Sequence, residues 1–560
     1  MKFIVSCFLV LLTISSLSQE PQQGEVTNDK KEISAKKEQR LKKKKNRKKS
    51  KNDTSQIISQ VLRLEIPIED MNDEFVVIDG FDDGLLLVQD TNEQVPNGDV
   101  WTFRMVDRKL DEEWKINQVI PNSADLIGYD YSSGYYFLLF DNVSRYRDYK
   151  VLVIDVRGEK SVFQEFSLPF QIDLHYFEAL DQGILLVGEY NYRPVALVHD
   201  IVSGKPKVLP GFYNHNERVF DLVMDEETKS FSIVLAERMR NGKYTNRIKS
   251  FTFDGLLIQE NLINPGEELN LVDGTTTNFG NGVQYMVGTY SRKSSLFSRG
   301  IYISKFSNGQ QRFLKDYNYG DLRNFFNYRG ERASGRIYRK VARKRGRGKE
   351  PKFSYRLYIH DIVEKGDLNI VIAEAFYAKY SSSTGTNYYG RGYSPYYRTN
   401  STTLPSQRAF LGYKFTHAIV CAFDSKGNIV WDNSFKTNDI TSYNLEESVA
   451  VNVQGERAVI MYLDDNLIKS QVVQGDDVEE GKTYNPIKLL NNGDKLKSRD
   501  SSVKGLKSWY DNNLYSFGVQ KIKNKGFPKK ERMRRVFYIN KIQFDSTPVE
   551  KNELRISSTR

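Results

Sequence analysis

Short apolar segments recur along the chain at roughly fifty-residue intervals, and most of them follow a turn marked by Gly or Asn. The eight segments are residues 85–88, 136–139, 184–187, 232–235, 285–287, 368–372, 458–461 and 514–517. They are too short for helices, and β-branched or aromatic residues dominate them, which is typical of buried strands. A period of this length predicts a repeat fold built from stacked sheets.

Each repeat contains a second turn signal, so that two hairpins, and therefore four antiparallel strands, are expected per unit. The third unit shows this most simply, with predicted strands over 174–180, 184–190, 195–200 and 205–210. Because continuous apolar runs need cover on both faces of a sheet, neighbouring units must pack against each other.

The pattern predicts an all-β, single β-propeller of eight four-stranded blades. The blades begin near Glu74, Leu126, Ile172, Arg218, Asn270, Tyr355, Ser448 and Leu506. The last unit ends at its third strand, over 536–544, and the segment 57–66 can supply the fourth and close the ring. Seven blades is the alternative, and two packed sandwiches are a more distant one.

The first eighteen residues read as a secretory signal peptide, with Lys2, an apolar core and small residues at Ser16 and Ser18. We expect a basic disordered tail over 19–55, the propeller over 56–546 and a disordered tail over 547–560. Cleavage would leave Cys421 as the one cysteine, so no disulfide is expected within the mature chain. A signal peptide combined with the lack of disulfides indicates a protein of the bacterial periplasm, cell envelope or cell exterior.

Charge is concentrated in two basic blocks. Residues 30–51 carry thirteen Lys and Arg against two Glu, and residues 323–349 carry eleven against one. Since the whole chain has a net charge of +11, the remainder is about ten charges negative. The first block could attach electrostatically to a membrane surface or an acidic polysaccharide, or could be a solvated linker. Nucleic acid is not an expected partner of an exported chain.

Long insertions all join second to third strands or one blade to the next, and in a propeller both kinds of connection emerge on one face. The two largest are 317–354 and 376–412. In the first, residues 322–341 predict one or two helices, whose apolar stripe docks on the ring while basic residues project outward. The candidate binding residues of this insertion are Arg336, Arg339, Lys340, Arg343 and Lys344.

The second insertion is rich in Tyr, Ser, Thr and Gly, a composition found in protein-recognition loops and sugar-stacking platforms. Its candidate binding residues are Tyr380, Tyr388, Tyr389, Arg391, Tyr393, Tyr396 and Tyr397. A decorative loop is the alternative interpretation.

Three acidic residues, Glu189, Glu237 and Glu374, share one register after the apolar run of a second strand. We expect these rim carboxylates to cap strand ends and accept hydrogen bonds from the next blade; a cation site or pairing with loop arginines is the alternative. No catalytic motif, zinc spacing or phosphate loop is found, and neither a cofactor nor a metal is expected.

The segment 422–431 contains an Asp424 turn, Gly427 and Trp431. It resembles the repeated docking motif of quinoprotein-like propellers, in which the Trp packs on the next blade, and we find it complete once. That family includes quinone-dependent dehydrogenases and scaffold proteins of the bacterial outer envelope. The adjacent-cysteine disulfide of the dehydrogenases cannot form here, so the resemblance supports the fold more than an oxidoreductase activity. The whole chain also looks like secreted propeller proteins of bacterial envelopes.

Our hypothesis from the sequence is a secreted, non-catalytic binding or scaffold propeller that recognises a protein or an anionic glycan through its insertion-rich, basic and Tyr-rich face. The alternative is a hydrolase or lyase acting on an anionic polysaccharide. The direction of the rim carboxylates distinguishes them: convergence on an open central pocket favours an enzyme, and burial between blades favours a scaffold.

Overall fold

The computed structural model describes residues 54–55, 57–71, 74–122, 124–142, 147–280, 282–293, 296–380, 410–437, 440–497 and 502–544. Within these ranges the strands form eight antiparallel sheets. Seven sheets follow the chain, each built on four consecutive strands, one of them with the short β26 paired to β24 in addition, and the eighth combines strands from both ends. The prediction of an eight-bladed propeller is therefore confirmed, and the seven-bladed alternative is wrong.

The strands succeed one another blade by blade along the chain. The N-terminal strand is β1 (Ile58–Pro67). Blades one to four comprise β2 (Phe75–Asp79), β3 (Leu85–Val95), β4 (Gly98–Val106), β5 (Glu112–Ile120); β6 (Ala124–Ser132), β7 (Tyr135–Asn142), β8 (Asp148–Asp155), β9 (Ser161–Ser167); β10 (Asp173–Leu180), β11 (Gly183–Tyr190), β12 (Arg193–Asp200), β13 (Lys205–Val208); and β14 (Glu217–Asp225), β15 (Ser230–Arg238), β16 (Tyr244–Thr252), β17 (Leu257–Leu262).

Blades five to eight include the insertions. Their elements are β18 (Asn270–Thr276), β19 (Val283–Ser291), β20 (Gly300–Ser307), β21 (Gln310–Asn318), helix α1 (Glu331–Arg345); β22 (Arg356–Lys365), β23 (Leu368–Tyr380), β24 (Phe410–Asp424), β25 (Ile429–Lys436), β26 (Thr441–Ser442); β27 (Ala450–Gln454), β28 (Arg457–Asp464), β29 (Leu467–Gln474), β30 (Asp477–Pro486); and β31 (Asp494–Leu496), β32 (Ser502–Ser508), β33 (Asn513–Asn524), β34 (Met533–Phe544). In the described ranges no helix is both long and apolar enough to cross a membrane.

The N-terminal strand closes the ring as predicted. Strand β1 pairs antiparallel with β34 and so becomes the fourth strand of blade eight. Charged side chains reinforce this seam, since Arg534 binds Glu65 of β1 at 2.9 Å and Asp494 at 2.5 Å. Blade eight then packs on blade one through a shared apolar cluster that includes Leu87 and Phe517.

Neighbouring blades dock through the turn between their third and fourth strands. In blade six the carboxylate of Asp424 accepts hydrogen bonds from the backbone N–H of Lys426 at 2.9 Å and Asn428 at 2.8 Å. Gly427 has φ +73°, and a Cβ atom there would lie 2.6 Å from Phe313, on the fourth strand of blade five. Trp431 in turn is buried against blade seven. The docking role expected of 422–431 is confirmed.

A second copy of this docking turn was missed in the sequence. The carboxylate of Asp107 accepts from the backbone N–H of Lys109 and Asp111, both at 2.8 Å. Seven residues after Asp107, Trp114 packs on Gly158 of blade two and donates its indole N–H to the carbonyl of Val156 at 2.8 Å. Leu110 replaces the glycine and takes φ +65°, so the glycine signal of the motif is absent.

Strand alternation gives the ring two different faces. We call the side with the hairpin turns between first and second and between third and fourth strands the turn face. The opposite side, with the remaining connections, is the insertion face. The insertions between β21 and β22 and between β23 and β24 both leave from the insertion face.

Candidate binding surface

The insertion between β21 and β22 does not stand free above the insertion face but runs along the outer edge of blade six. The backbone N–H groups of Arg323 and Asn324 donate to the carboxylate of Asp432 on β25 at 2.6 and 2.8 Å. Arg323 also pairs at 2.7 Å with Asp476, in the β29–β30 turn. Because β25 is an edge strand with unpaired backbone groups, this segment covers an edge that would otherwise be open.

Aromatic side chains anchor the segment. Phe325 and Phe326 are fully buried in a cluster with Leu357, Ile419 and Cys421. Tyr328 stacks on the buried ring of His417, with ring centroids 3.6 Å apart. Burial lowers the pKa of His417 to about 3, so its ring is neutral and suited to this stacking.

Helix α1 packs on this anchored segment. The ring of Tyr338 lies 5.4 Å from that of Phe326, and buried Val341 lies against Gly320. At the last turn Arg345 forms an ion pair with Asp321. The predicted helix and its apolar stripe are therefore present, and the residue range is shifted toward the C-terminus relative to 322–341.

The basic residues of α1 face solvent. Arg336, Arg339, Lys340 and Arg343 are exposed, and Lys344 is half-buried. Arg339 donates to the carbonyl of Gly335 in its own helix at 3.1 Å. Glu331, at the first turn, is the one acidic residue of the helix. We call Arg336, Arg339, Lys340, Arg343 and Lys344 the basic surface of α1.

A polar cavity of about 300 Å³ lies where the end of α1 meets blade five. Arg292 contacts Glu268, Asp316 and Glu350 there at 3.1, 3.2 and 3.5 Å. The positive charge of Arg292 is therefore balanced by neighbouring carboxylates. The cavity is lined by residues 348–351, where the insertion leads back toward β22.

The second insertion is described only at its ends. Strands β23 and β24 are long, and Tyr377 and Tyr380 near the end of β23 are 44% and 42% exposed, so these rings are available for contact. Of the binding residues predicted in this second insertion, only Tyr380 lies within the described part of the chain. Tyr388, Tyr389, Arg391, Tyr393, Tyr396 and Tyr397 fall outside it.

The rim carboxylates do not converge. Glu374 is fully buried and accepts hydrogen bonds from the backbone N–H groups of Ser448 at 2.7 Å and Val449 at 3.2 Å, at the start of blade seven. Glu237 pairs within its own blade with Arg247, at 2.6 Å. Glu189 lies half-buried on β11 opposite Asp173. Glu374 behaves as the strand-capping interpretation expected.

A different set of acidic residues lines the inner wall of the ring, where the first strands of neighbouring blades meet. These residues are Asp130, Glu178, Asp221, Asp273 and Asp361. Burial and the neighbouring Asp130 raise the pKa of Glu178 well above its usual range, so that Glu178 hydrogen-bonds Asp130 as a protonated acid. Burial raises the pKa of Asp221 to about 8 and that of Asp273 to about 7.

These inner carboxylates were not singled out from the sequence, although each lies on a predicted first strand. Asp221 and Asp273 directly follow a β-bulge, and Asp361 lies within one, so the alternation of the strand does not reveal their direction. Among the described residues no group of three or more Asp, Glu, His or Cys side chains is arranged to hold a metal ion.

No protein-family model and no curated protein matches this sequence. Solved structures similar to it include the β-propeller domain of the Trilobed protease from Pyrococcus furiosus, with 9% identity over 76% of this chain and 96% of that chain and a TM-score of 0.32. A europium-containing methanol dehydrogenase gives 9% identity over 87% and 93%, with a TM-score of 0.39. The polysaccharide lyase Uly1 gives 11% identity over 74% and 89%, with a TM-score of 0.36. These likenesses are distant and define no sequence family.

Proposed function

We propose that this protein is a secreted, non-catalytic binding or scaffold propeller that recognises an anionic partner through the basic surface of α1. An acidic glycan is the partner we favour, and an acidic protein is the other. The observation that carries the proposal is that α1 is anchored by buried aromatic residues while its cations remain exposed. The Tyr-rich insertion between β23 and β24 would add contacts on the same side of blade six.

The spacing of the cations supports this proposal. Arg336, Lys340 and Arg343 are separated by four and three residues, which places them on one side of the helix about one turn apart. Like charges at these spacings destabilise a helix by a few tenths of a kcal/mol per pair. An anionic polymer would remove that repulsion by binding several cations in a row.

Anchoring also matters for affinity. Partners lose binding free energy when a flexible segment must be ordered on contact. Because Phe325, Phe326 and Val341 are buried in the unbound protein, α1 is already held in place and that loss is small.

The test is a matched pair of variants. Arg336, Arg339, Lys340 and Arg343 are changed together to Ser in one protein. In the control, Lys109, Lys160, Lys205 and Lys426, four exposed lysines on the turn face, are changed to Ser. We expect the first variant to bind an immobilised acidic polysaccharide at least about tenfold more weakly at low ionic strength, with a flatter salt dependence. Equal losses in both variants would show that only overall charge matters.

The hydrolase or lyase alternative has one supporting observation, the protonated Glu178 beside Asp130 on the inner wall. Such a pair combines a proton donor and a carboxylate, as polysaccharide cleavage requires. The wild type and a Glu178→Gln variant are assayed for release of reducing or unsaturated ends from anionic polysaccharides. If the wild type releases such ends and the Glu178→Gln variant does not, the binding proposal is wrong and the protein is an enzyme.

Export, and with it placement in the periplasm or cell envelope, is part of the proposal and follows from the N-terminal signal pattern alone. Contact of residues 30–51 with an anionic membrane surface would then act together with α1. N-terminal sequencing of the exported protein tests the cleavage site near Ser18.

A further inference from the structure

Three aromatic rings stack on the insertion face at blade three, and a fourth lies in the turn beside them. Phe170 lies between β9 and β10, Tyr190 ends β11, Tyr192 lies in the β11–β12 turn and Tyr213 lies between β13 and β14. Tyr192 and Tyr213 are 71% and 41% exposed, whereas Phe170 and Tyr190 are half-buried. We call Phe170, Tyr190, Tyr192 and Tyr213 the aromatic platform.

The stacked rings form a stepped row. The ring centroids of Phe170 and Tyr190 are 4.7 Å apart and those of Tyr190 and Tyr213 are 6.1 Å apart, with interplanar angles of 24° and 22°. Nearly parallel rings at the larger separation overlap only at their edges, so part of each face stays uncovered. Arg193 lies over Tyr213, with its guanidinium carbon 4.5 Å from the ring centroid, and places hydrogen-bond donors at the end of the row.

Two tyrosines of the platform have backbone conformations that ordinarily favour glycine. Asn191 and Tyr192 are the central residues of the two-residue β11–β12 turn, with φ +50° and +61°. Glycine is the usual residue at the second of these positions, because a left-handed φ is unfavourable for any side chain with a Cβ atom. Tyr213 has φ +79°, and its backbone N–H donates to the carbonyl of Pro194 at 2.9 Å.

This strain is informative because the ring of Tyr192 is mostly exposed. Burial of that ring contributes little to the stability of the fold, and glycine would relieve the turn. Residues held in unfavourable backbone conformations are concentrated at functional sites. The presence of tyrosine at this position is therefore better explained by contact with a ligand than by folding.

We propose that the aromatic platform is a carbohydrate-binding site that stacks against the rings of an uncharged saccharide. The proposal is independent of anion binding by α1. A pyranose ring with equatorial hydroxyl groups presents axial C–H bonds on its faces and hydroxyl groups along its edge. Tyrosine has the matching combination of an apolar ring face and a polar hydroxyl group.

The polar residues around the rings favour a sugar over a protein partner. The same connections carry the exposed Gln171, Asn191, His215 and Asn216, whose side chains can donate to and accept from hydroxyl groups. A stable interface with a protein would instead need a desolvated apolar centre. The open, stepped arrangement of the rings suits a chain of several sugar residues.

The experiment uses the whole protein and cellohexaose, an uncharged oligosaccharide with equatorial hydroxyl groups, and measures binding by isothermal titration calorimetry. Tyr192→Gly removes the most exposed ring of the platform. We expect this variant to bind at least about tenfold more weakly than the wild type. Its melting temperature should be equal to or above that of the wild type, because glycine relieves the left-handed turn.

Two controls accompany this variant. Tyr443, which is 69% exposed between β26 and β27, is changed to Ala and should leave the affinity for cellohexaose unchanged. The Ser variant of Arg336, Arg339, Lys340 and Arg343 should also bind cellohexaose as the wild type does. Failure of this proposal is thus distinguishable from failure of anion binding by α1.

Three results would overturn the proposal. The first is a wild type that does not bind cellohexaose, and the second is equal affinity in Tyr192→Gly and Tyr443→Ala. The third is weaker binding by Tyr192→Gly together with a lower melting temperature, which would show that Tyr192 acts through the fold. Capture of a protein by the platform without binding of cellohexaose would assign it to a protein partner instead.

Discussion

The turn face and the insertion face of this propeller carry opposite kinds of connection. On the turn face, short hairpins such as that at Gly427 fit against a side chain of the preceding blade. On the insertion face, the connections lengthen and one of them folds into α1. The difference teaches that short turns can dock neighbouring blades, whereas the longer connections of the opposite face place exposed side chains above the ring.

The two faces are not wholly separate in role, because the longest described insertion also serves the scaffold. Residues 321–328 cover the edge of β25 and reach Asp476 beside a turn of blade seven. The anchoring part is apolar and buried, whereas the basic part is exposed. The two roles thus occupy different residues of one insertion and can be separated by substitution.

The largest effect is expected from Trp431→Ala, which removes a buried side chain from the contact between blades six and seven. The variant should lose about 3–5 kcal/mol in the free energy of unfolding, measured by urea denaturation. Tyr377→Ala, an exposed aromatic residue of the insertion face, is the control and should lose less than about 1 kcal/mol. Similar losses in the two variants would remove the distinction between the faces.

A smaller loss is expected from Gly427→Ala. The new Cβ would meet Phe313 at 2.6 Å, and a left-handed φ is unfavourable for Ala. Gly134→Ala is closely matched, with φ +83° but no atom within 4 Å of the added Cβ. Both should show backbone strain of about 1–2 kcal/mol, and Gly427→Ala should lose a further 1–3 kcal/mol or so from overpacking. Equal losses would mean that this turn does not dock the blades.

Glu374→Gln tests a contact near the insertion face and should cost about 1–3 kcal/mol. His360 Nε2 lies 3.0 Å from Glu374. Burial lowers the pKa of His360, but the carboxylates of Glu447, Glu374 and Asp361 raise it by more, so that its pKa is about 9. Since this is above the unfolded value of about 6.5, charged His360 stabilises the fold fully below pH 6.5 or so, and this contribution is lost as pH rises through 9.

The pH dependence gives the control for that variant. Asp221 and Asp273 also have raised pKa values, so their contributions to the stability of the fold also fall as pH rises. This happens in both the wild type and the variant. The difference in the free energy of unfolding between the wild type and Glu374→Gln should therefore shrink between about pH 6.5 and 9. A difference that is constant across this window would contradict the assigned role of His360.

The smallest effect on stability is expected from the Ser variant of Arg336, Arg339, Lys340 and Arg343. These side chains are exposed, so the free energy of unfolding should change by less than about 0.5 kcal/mol per residue. Circular dichroism and urea denaturation check this. A large loss of stability would mean that the cations hold α1 in place rather than being available to a partner.

Much of the fold could be predicted because its signals are local. Each apolar run with its preceding turn, such as 184–187, reports one strand without reference to the rest of the chain. The closing strand β1 could be predicted since blade eight lacked a fourth strand. The docking turn at Asp107 was missed because Leu110 adopts a conformation usual for Gly.

The candidate site was only partly predictable, because its geometry depends on distant contacts. The apolar stripe of α1 was visible in the sequence, but its position beside blade six depends on Asp432, about a hundred residues away. The inner carboxylates follow bulges, which break the alternation used to assign faces.

Hydrogen–deuterium exchange of the protein with and without an acidic polysaccharide tests most directly whether the insertion face binds the partner. We expect slower exchange over residues 331–349, which contain α1, and unchanged exchange in the turns at Gly158, Gly255 and Gly427 on the turn face. Protection of those turns, or of the inner strands without α1, would contradict the assignment of binding to the insertion that carries the basic surface.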